Sequence, residues 1–260
     1  MGDYKNVLVE RVGKVMIITL NRPQAMNALN TELLLDLHQA YKALKSDSDV
    51  WIGVLMGAGR CFCGGADVKE MAGGLSPEAH RKRQIIREAG EESGIPANCE
   101  KPMIAAVHGY CLGAALSMAL SCDMIVAAEG TKFAVSEVKR GLPPTQVLAR
   151  TFYSLPHKLA MEMNLTGDFI TAEKALQYGM VNEVVPQPQL RESALKLADR
   201  VLAAAPLAVR AAKKKGWLIT ALAREETLLV DVGRIAKESE DLKEGLAAFV
   251  EKRKPQWRAR

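Results

Sequence analysis

Apolar residues follow two rhythms along this chain of 260 residues. Short runs rich in β-branched residues, Val7-Leu8-Val9 and Val15-Met16-Ile17-Ile18-Thr19-Leu20, stand on either side of Gly13-Lys14 and predict a β-hairpin. Leu33, Leu34, Leu37, Ala40, Tyr41 and Leu44 then recur at helical spacing, predicting a helix that opens at Thr31 with Asn30 or Thr31 as its cap. The runs at 50–56, 103–107 and 124–128 are apolar almost throughout, as strands covered on both faces are in parallel sheets. A charged helical stretch lies at 76–92, and 112–119 reads as an apolar helix. The repetition predicts an α/β fold of stacked strand-strand-helix units. Beyond about 145 the strand signal fades, apart from 181–185, and 188–249 reads as successive helices broken at Pro206 and near Ser239. The expected division is a core at 1–200 and a helical C-terminal region at 201–260.

Composition narrows the function classes. The hydrophobic share of 48% and charged share of 25% are those of a globular chain able to bury a core. No run reaches the roughly 18 to 20 uncharged apolar residues that a membrane span needs. The start, Met1-Gly2-Asp3-Tyr4-Lys5, has no apolar signal region. These features predict a cytoplasmic location and no membrane partner. Cys61, Cys63, Cys99, Cys111 and Cys122 form an odd, scattered set that reads as free thiols. Cys61-Phe62-Cys63 is followed by no second pair at zinc spacing, so no metal site is predicted. Neither a His-Glu-x-x-His helix nor a Gly-x-Ser-x-Gly elbow occurs, which speaks against a zinc hydrolase and an ordinary serine esterase. The net charge of +5 gathers late, in Lys213-Lys214-Lys215, which fits a solvated helix face, and in Lys252-Arg253-Lys254 with Arg258 and Arg260. Such cations leave an RNA-binding protein as the non-enzyme alternative, but no stacking aromatic motif accompanies them.

Two loops are richer in glycine than a strand-to-helix connection requires. The first is Gly57-Ala58-Gly59-Arg60-Cys61-Phe62-Cys63-Gly64-Gly65-Ala66-Asp67, which has neither the third glycine of a dinucleotide fingerprint nor the Gly-Lys-Ser/Thr of a P-loop. The second, His108-Gly109-Tyr110-Cys111-Leu112-Gly113-Ala114-Ala115-Leu116-Ser117, runs into the apolar helix. Small residues allow backbone N–H groups to approach a ligand closely, and a helix start favours an anion or a developing oxyanion. Either loop could equally serve tight helix-strand packing.

Taken together and in order, these segments resemble the enoyl-CoA hydratase/isomerase (crotonase) family over nearly the whole chain. The resemblance rests on Asn21-Arg22-Pro23 with Met26-Asn27-Ala28-Leu29, on Phe62 to Met71, and on Lys101 to Gly113. It continues through Cys122-Asp123, Phe133 and Glu137, and closes with Glu244-Gly245 and Ala248 to Lys254. It implies a crotonase-like spiral of β-β-α units with a helical C-terminal trimerisation region, and a homotrimer or a hexamer made of two trimers. It implies that the amides of Ala66 and Ala114 hold a thioester oxygen on which enolate charge develops, with Glu137 as the acid/base group. Coenzyme A would enter as part of the substrate, with no prosthetic group. Ala28, Gly64, Val68 and Lys69 would line its path, and Phe249 with Lys252 would reach the nucleotide of an adjacent subunit. The segment 76–92 would cover the acyl pocket.

One departure matters most. Family members that hydrate double bonds commonly hold water between two glutamates, and the second position falls here on Ser117. A serine hydroxyl orients water but cannot take a proton as a carboxylate does; equally, a helix serine often bonds back to a carbonyl one turn earlier, here Gly113. The resemblance implies a hydratase first, with a single-glutamate enoyl-CoA isomerase or a feruloyl-CoA hydratase-lyase-like enzyme as alternatives. Ser136-Glu137-Val138-Lys139-Arg140-Gly141-Leu142-Pro143-Pro144 is similar to the lyase branch, but Met71 stands where that branch has a tyrosine. A hydrolase acting on a β-diketone or a thioester is a further reading on the same scaffold.

Overall fold

The computed structural model describes residues 4–94, 96, 99–228 and 240–256. The first strands, β1 (Val7–Val12) and β2 (Val15–Leu20), pair antiparallel across the Gly13-Lys14 turn, with Val12 opposite Val15. Helix α1 (Thr31–Ser46) follows, capped by the Asn30 side chain, which accepts from the Leu33 N–H. Strand β3 (Ile52–Gly57) lies parallel to β2. After it come two short helices, α2 (Val68–Gly73) and α3 (Pro77–Glu88). The chain then alternates strands β4 (Met103–Val107) and β5 (Tyr110–Leu112), helix α4 (Ala114–Ala119), and strands β6 (Met124–Ala128) and β7 (Lys132–Ala134). Helices α5 (Thr145–Ser154) and α6 (His157–Thr166) precede the short β8 (Ile170–Thr171), α7 (Ala172–Gln177) and β9 (Glu183–Val185).

The strands form two layers. A larger sheet runs β1-β2-β3-β4-β6-β9, parallel beyond the hairpin, and a smaller one runs β5-β7-β8. Each circuit passes from the large sheet to the small one, as β4 leads to β5 and β6 to β7. Isolated bridges Cys63 to Cys111 and Leu29 to Ala66 extend the small layer backwards through the glycine-rich loop. The expected spiral of β-β-α units is present. Alternation on the large sheet explains its two-sided burial. Ile17, Val54, Ile104 and Val126 face helix α8 (Leu190–Leu202) through Ala194 and Ala198, whereas Ile18, Leu55, Ala105 and Ala127 share the other core with Leu37 and Tyr41 of α1.

Three differences from the sequence reading have a physical cause. Strands β5, β7 and β8 hold only two or three residues each, too few to show a period, so they pass for loop. Leu112 therefore belongs to a strand, and the helix after it starts at Ala114. Lys213 is not part of a solvated face: it pairs with Asp123 at 2.8 Å and donates to the Lys101 carbonyl at 2.7 Å. Asp123 also accepts from the Met103 N–H and the Trp217 indole, so one carboxylate ties helix α9 (Pro206–Leu228) to the edge of β4.

The tail is helical as expected, with Pro206 opening α9, where a missing N–H costs nothing. Position 200 falls inside α8, which packs on β3, β4 and β6. The break expected near Ser239 lies outside the described residues. A terminal helix, Glu240–Val250, packs on α2 and on the turn at 138–140. Among the described residues no helix is long and apolar enough to cross a membrane.

Candidate active site

Buried polar residues of the early loop fix the two glycine-rich segments. Asn27 is fully buried with φ 53°, a conformation that asparagine tolerates better than most side chains. Its amide nitrogen donates to the carbonyls of Ala58, Cys61 and Phe62 at 2.9 to 3.0 Å, and its oxygen accepts from the Arg22 N–H at 2.8 Å. Arg22 in turn donates to Asp67 at 2.6 Å and to the Ala28 carbonyl at 2.9 Å. Burial alone would raise Asp67; the Arg22 guanidinium and the amides of Glu70 and Lys69 outweigh it and hold the carboxyl low. The Gly64 N–H completes the clamp by donating to the Met26 carbonyl at 2.8 Å. Nothing in the spacing of these residues signalled the clamp, although an asparagine and an arginine in a short loop were its trace.

The clamp brings the two segments into contact. Gly65 has φ 97°, and a Cβ there would lie 2.7 Å from the Leu112 carbonyl oxygen and 3.9 Å from the Ala114 nitrogen. Only glycine lets Ala66 come so close to the start of α4. Ala66 is exposed and Ala114 half-buried. Among the described hydrogen bonds neither amide is a donor: Leu29 and Asp67 make the bridge around Ala66, and Ala114 is the first residue of its helix.

Glu137 meets the same place from the other side. It follows β7 and starts the turn at 138–140. Gly113, immediately before Ala114, has φ 55° and ψ −119°, and a Cβ on it would sit 2.7 to 2.9 Å from the Glu137 carboxylate atoms. Burial pushes the Glu137 carboxyl up to about 7, with smaller opposing effects from its own backbone and from Arg140. Glu137 Oε2 is buried with no hydrogen-bond partner among the described residues, and so is the Oγ of Ser117, itself fully buried. Ser117 donates its backbone N–H to Gly113, but its hydroxyl does not bond back to that carbonyl. Buried polar atoms without partners are rare and call for a water or a ligand.

A cavity of about 860 Å³ opens beside Ala66 and Leu29 and is walled by α2 and α3. Leu29, Ala66, Met71, Leu75 and Ile86 give it a large apolar part, and its polar part is largely paired: Glu70 with Arg83, Arg87 with Glu92, and Gln146 donates to Glu92. Segment 76–92 thus lines a cavity next to Ala66, where sequence placed a cover. Ala114, Ser117 and Glu137 do not line that cavity; Ala114 joins it through Gly65, the neighbour of Ala66, and Glu137 rests against Gly113, the neighbour of Ala114. Ala28 and Gly64 lie in the clamped loops, Val68 is buried at the start of α2, and Lys69 is exposed. Phe249 stands exposed in the last turn of the terminal helix and Lys252 lies exposed just beyond it, with the Phe249 ring centre 4.8 Å from the Arg140 guanidinium carbon. His108 bonds the Gly59 carbonyl at 2.9 Å and is buried as a loop fastener. All five cysteines are buried thiols, and burial pushes Cys63 up to about 12, which leaves it unreactive as a nucleophile.

Comparison with known proteins places this geometry. Residues 10–260 match the family model described as enoyl-CoA hydratase/isomerase. The chain is 37% identical over 259 residues to the (E)-benzylidenesuccinyl-CoA hydratase of Thauera aromatica, covering 97% of this chain and 98% of that one. It is 36% identical over 272 residues to the 2,3-dehydroadipyl-CoA hydratase of Escherichia coli K12, covering 98% and 99%. Among solved structures, the carnitinyl-CoA hydratase from Mycobacterium avium superposes with a TM-score of 0.86 at 37% identity, over 99% of this chain and 100% of that one.

Proposed function

From its membership of the enoyl-CoA hydratase/isomerase family, to which this chain belongs, we propose that the protein adds water to, or removes it from, the double bond of an unsaturated acyl-CoA thioester. The observation that carries the reading is the placement of Glu137, a buried carboxyl raised to about 7, against the glycine that precedes the Ala114 amide. In the forward direction the oxygen of water adds to Cβ, its proton passes to Glu137, and the electron pair moves through Cα onto the thioester oxygen. The free N–H groups of Ala66 and Ala114 stabilise that oxyanion; a preorganised donor of this kind is worth roughly 3 to 4 kcal/mol. Glu137 then returns a proton to Cα, which a carboxyl near neutrality does well in both directions. Ser117, with its unpartnered hydroxyl, orients the water in place of a second carboxylate.

Ala28, Gly64, Val68 and Lys69 border the pantetheine path, and Phe249 with Lys252 reach the nucleotide bound by an adjacent subunit; on this chain the terminal helix packs beside its own α2. The assembly proposed is a homotrimer or a pair of trimers, which sedimentation of the purified chain would read directly.

A second reading keeps the same parts. With one carboxylate, Glu137 could carry a proton between two carbons of a 3-enoyl-CoA, as an isomerase does, and Ser117 is the observation that favours it. Incubation with 2-enoyl-, 3-enoyl- and aromatic enoyl-CoA esters, with products identified by mass, separates them: a gain of one water from the 2-enoyl ester supports hydration, and a product of unchanged mass from the 3-enoyl ester supports isomerisation. No turnover of any of these esters overturns both readings.

A further inference from the structure

We propose that Arg140 is a positioning residue for Glu137, and that Phe249 of the terminal helix holds the Arg140 guanidinium close to the acid but off it. The inference rests on Glu137 being the acid/base group. The two side chains stand three residues apart on one 3-10 turn, where positions i and i+3 share a face. The Arg140 N–H donates to the Glu137 carbonyl at 2.8 Å, and one guanidinium nitrogen donates to the Ser136 carbonyl at 3.0 Å. The guanidinium also lies over the Phe249 ring, 4.8 Å from its centre, within the range of a cation-π contact.

Although the two charges share a face, no ion pair joins them among the described residues. Arg140 Nε and Glu137 Oε2 are both buried and neither has a hydrogen-bond partner among the described residues, so the two do not satisfy each other. A direct pair would fix the acid in its ionised, weakly basic form. At the observed placement the positive charge acts on Glu137 only through space, opposing part of the burial that lifts the carboxyl to about 7. The same burial lowers Arg140, and Glu137 offsets it.

Other charges near the turn are engaged elsewhere. On the turn itself, Lys139 pairs with Asp168 in solvent. On the terminal helix and just beyond it, Glu244 and Glu251 pair with Arg253. Glu70 of α2 pairs with Arg83, and Lys69 is exposed. Lys158 and Glu162 of α6 are exposed, and α4, beneath the carboxylate, carries no titratable side chain. Among the described residues, Arg140 is the cation whose charge acts on Glu137.

The test is the acid limb of kcat/KM against pH, paired with a direct titration of Glu137 by carboxyl carbon-13 NMR in the full-length protein, with Glu137→Gln to assign the signal. Arg140→Met should raise the Glu137 titration by about 0.5 to 1 pH unit. Arg140→Lys, which keeps the charge, should restore most of the original value. Phe249→Leu should move it the opposite way, because the guanidinium is then free to settle on the carboxylate. A midpoint unchanged in Arg140→Met, or shifted equally in Arg140→Lys, overturns the inference. The reading of Glu137 itself fails separately, if Glu137→Gln keeps full turnover. The NMR midpoint remains readable in that event and in a variant of low activity.

Discussion

A Cβ at position 113 would stand 2.7 Å from Glu137 Oε1, so Gly113 is the surface on which the carboxylate rests. The same residue precedes the Ala114 amide, so the proposed acid and the proposed oxyanion donor share one support. Gly113→Ala should therefore displace the acid and strain a backbone at φ 55° that an L side chain avoids. The expected loss in kcat is on the order of 100-fold, the scale of a displacement of about 1 Å at a reacting group. Steady-state rates with the best enoyl ester, beside a far-UV spectrum showing intact fold, measure it.

Glu137→Gln should cost roughly 100- to 10,000-fold in turnover if this group moves the proton. It should also stabilise the protein at high pH. The folded chain holds the Glu137 proton up to about 7 against an ordinary 4.5, so its protonation adds stability that is fully present below about 4.5 and is lost as pH rises through about 7. At pH 8 the wild type buries a charge that glutamine does not. Urea midpoints should then favour the variant by about 1 to 3 kcal/mol at pH 8, and the gap should shrink toward pH 5. A gap that widened on acidification would contradict the buried-acid account.

Ser117→Ala removes a hydroxyl that has no protein partner, so stability should change by less than about 0.5 kcal/mol. Hydration should nevertheless slow, by about 10-fold, if that hydroxyl holds the attacking water, while proton exchange at Cα, followed in deuterated water, should persist. Equal loss of both would mean that Ser117 supports the site and does not orient water.

Asn27→Ala leaves the carbonyls of Ala58, Cys61 and Phe62 without their shared donor inside the protein. A destabilisation of about 2 to 4 kcal/mol is expected, together with loss of activity, because the loop carrying Ala66 loses its anchor. Thermal unfolding and turnover should fall together; a variant with native stability would show that the clamp is dispensable.

The sequence by itself determined the parts whose signal is local or serial. Continuous apolar runs marked β3, β4 and β6, because a strand covered on both faces has no polar side to show, and Asn30 before a helical period marked the start of α1. Ordered motifs marked Ala66 and Ala114, candidates through their backbone N–H groups, and Glu137, a candidate through its carboxyl. Only the tertiary structure decided what depends on distance. The strands at 110–112, 132–134 and 170–171 exist because neighbouring circuits of the spiral pair with them, which no run of two or three residues announces. Asn27 reads as one more loop asparagine until three carbonyls converge on it, and Lys213 reads as one cation among three until Asp123 meets it 90 residues earlier in the chain. The pKa of Glu137, its rest on Gly113 and the contact of Arg140 with Phe249 likewise arise from burial and contact between segments remote in sequence. Residue type supplies a carboxyl at position 137; the surrounding fold sets how readily it gives up its proton.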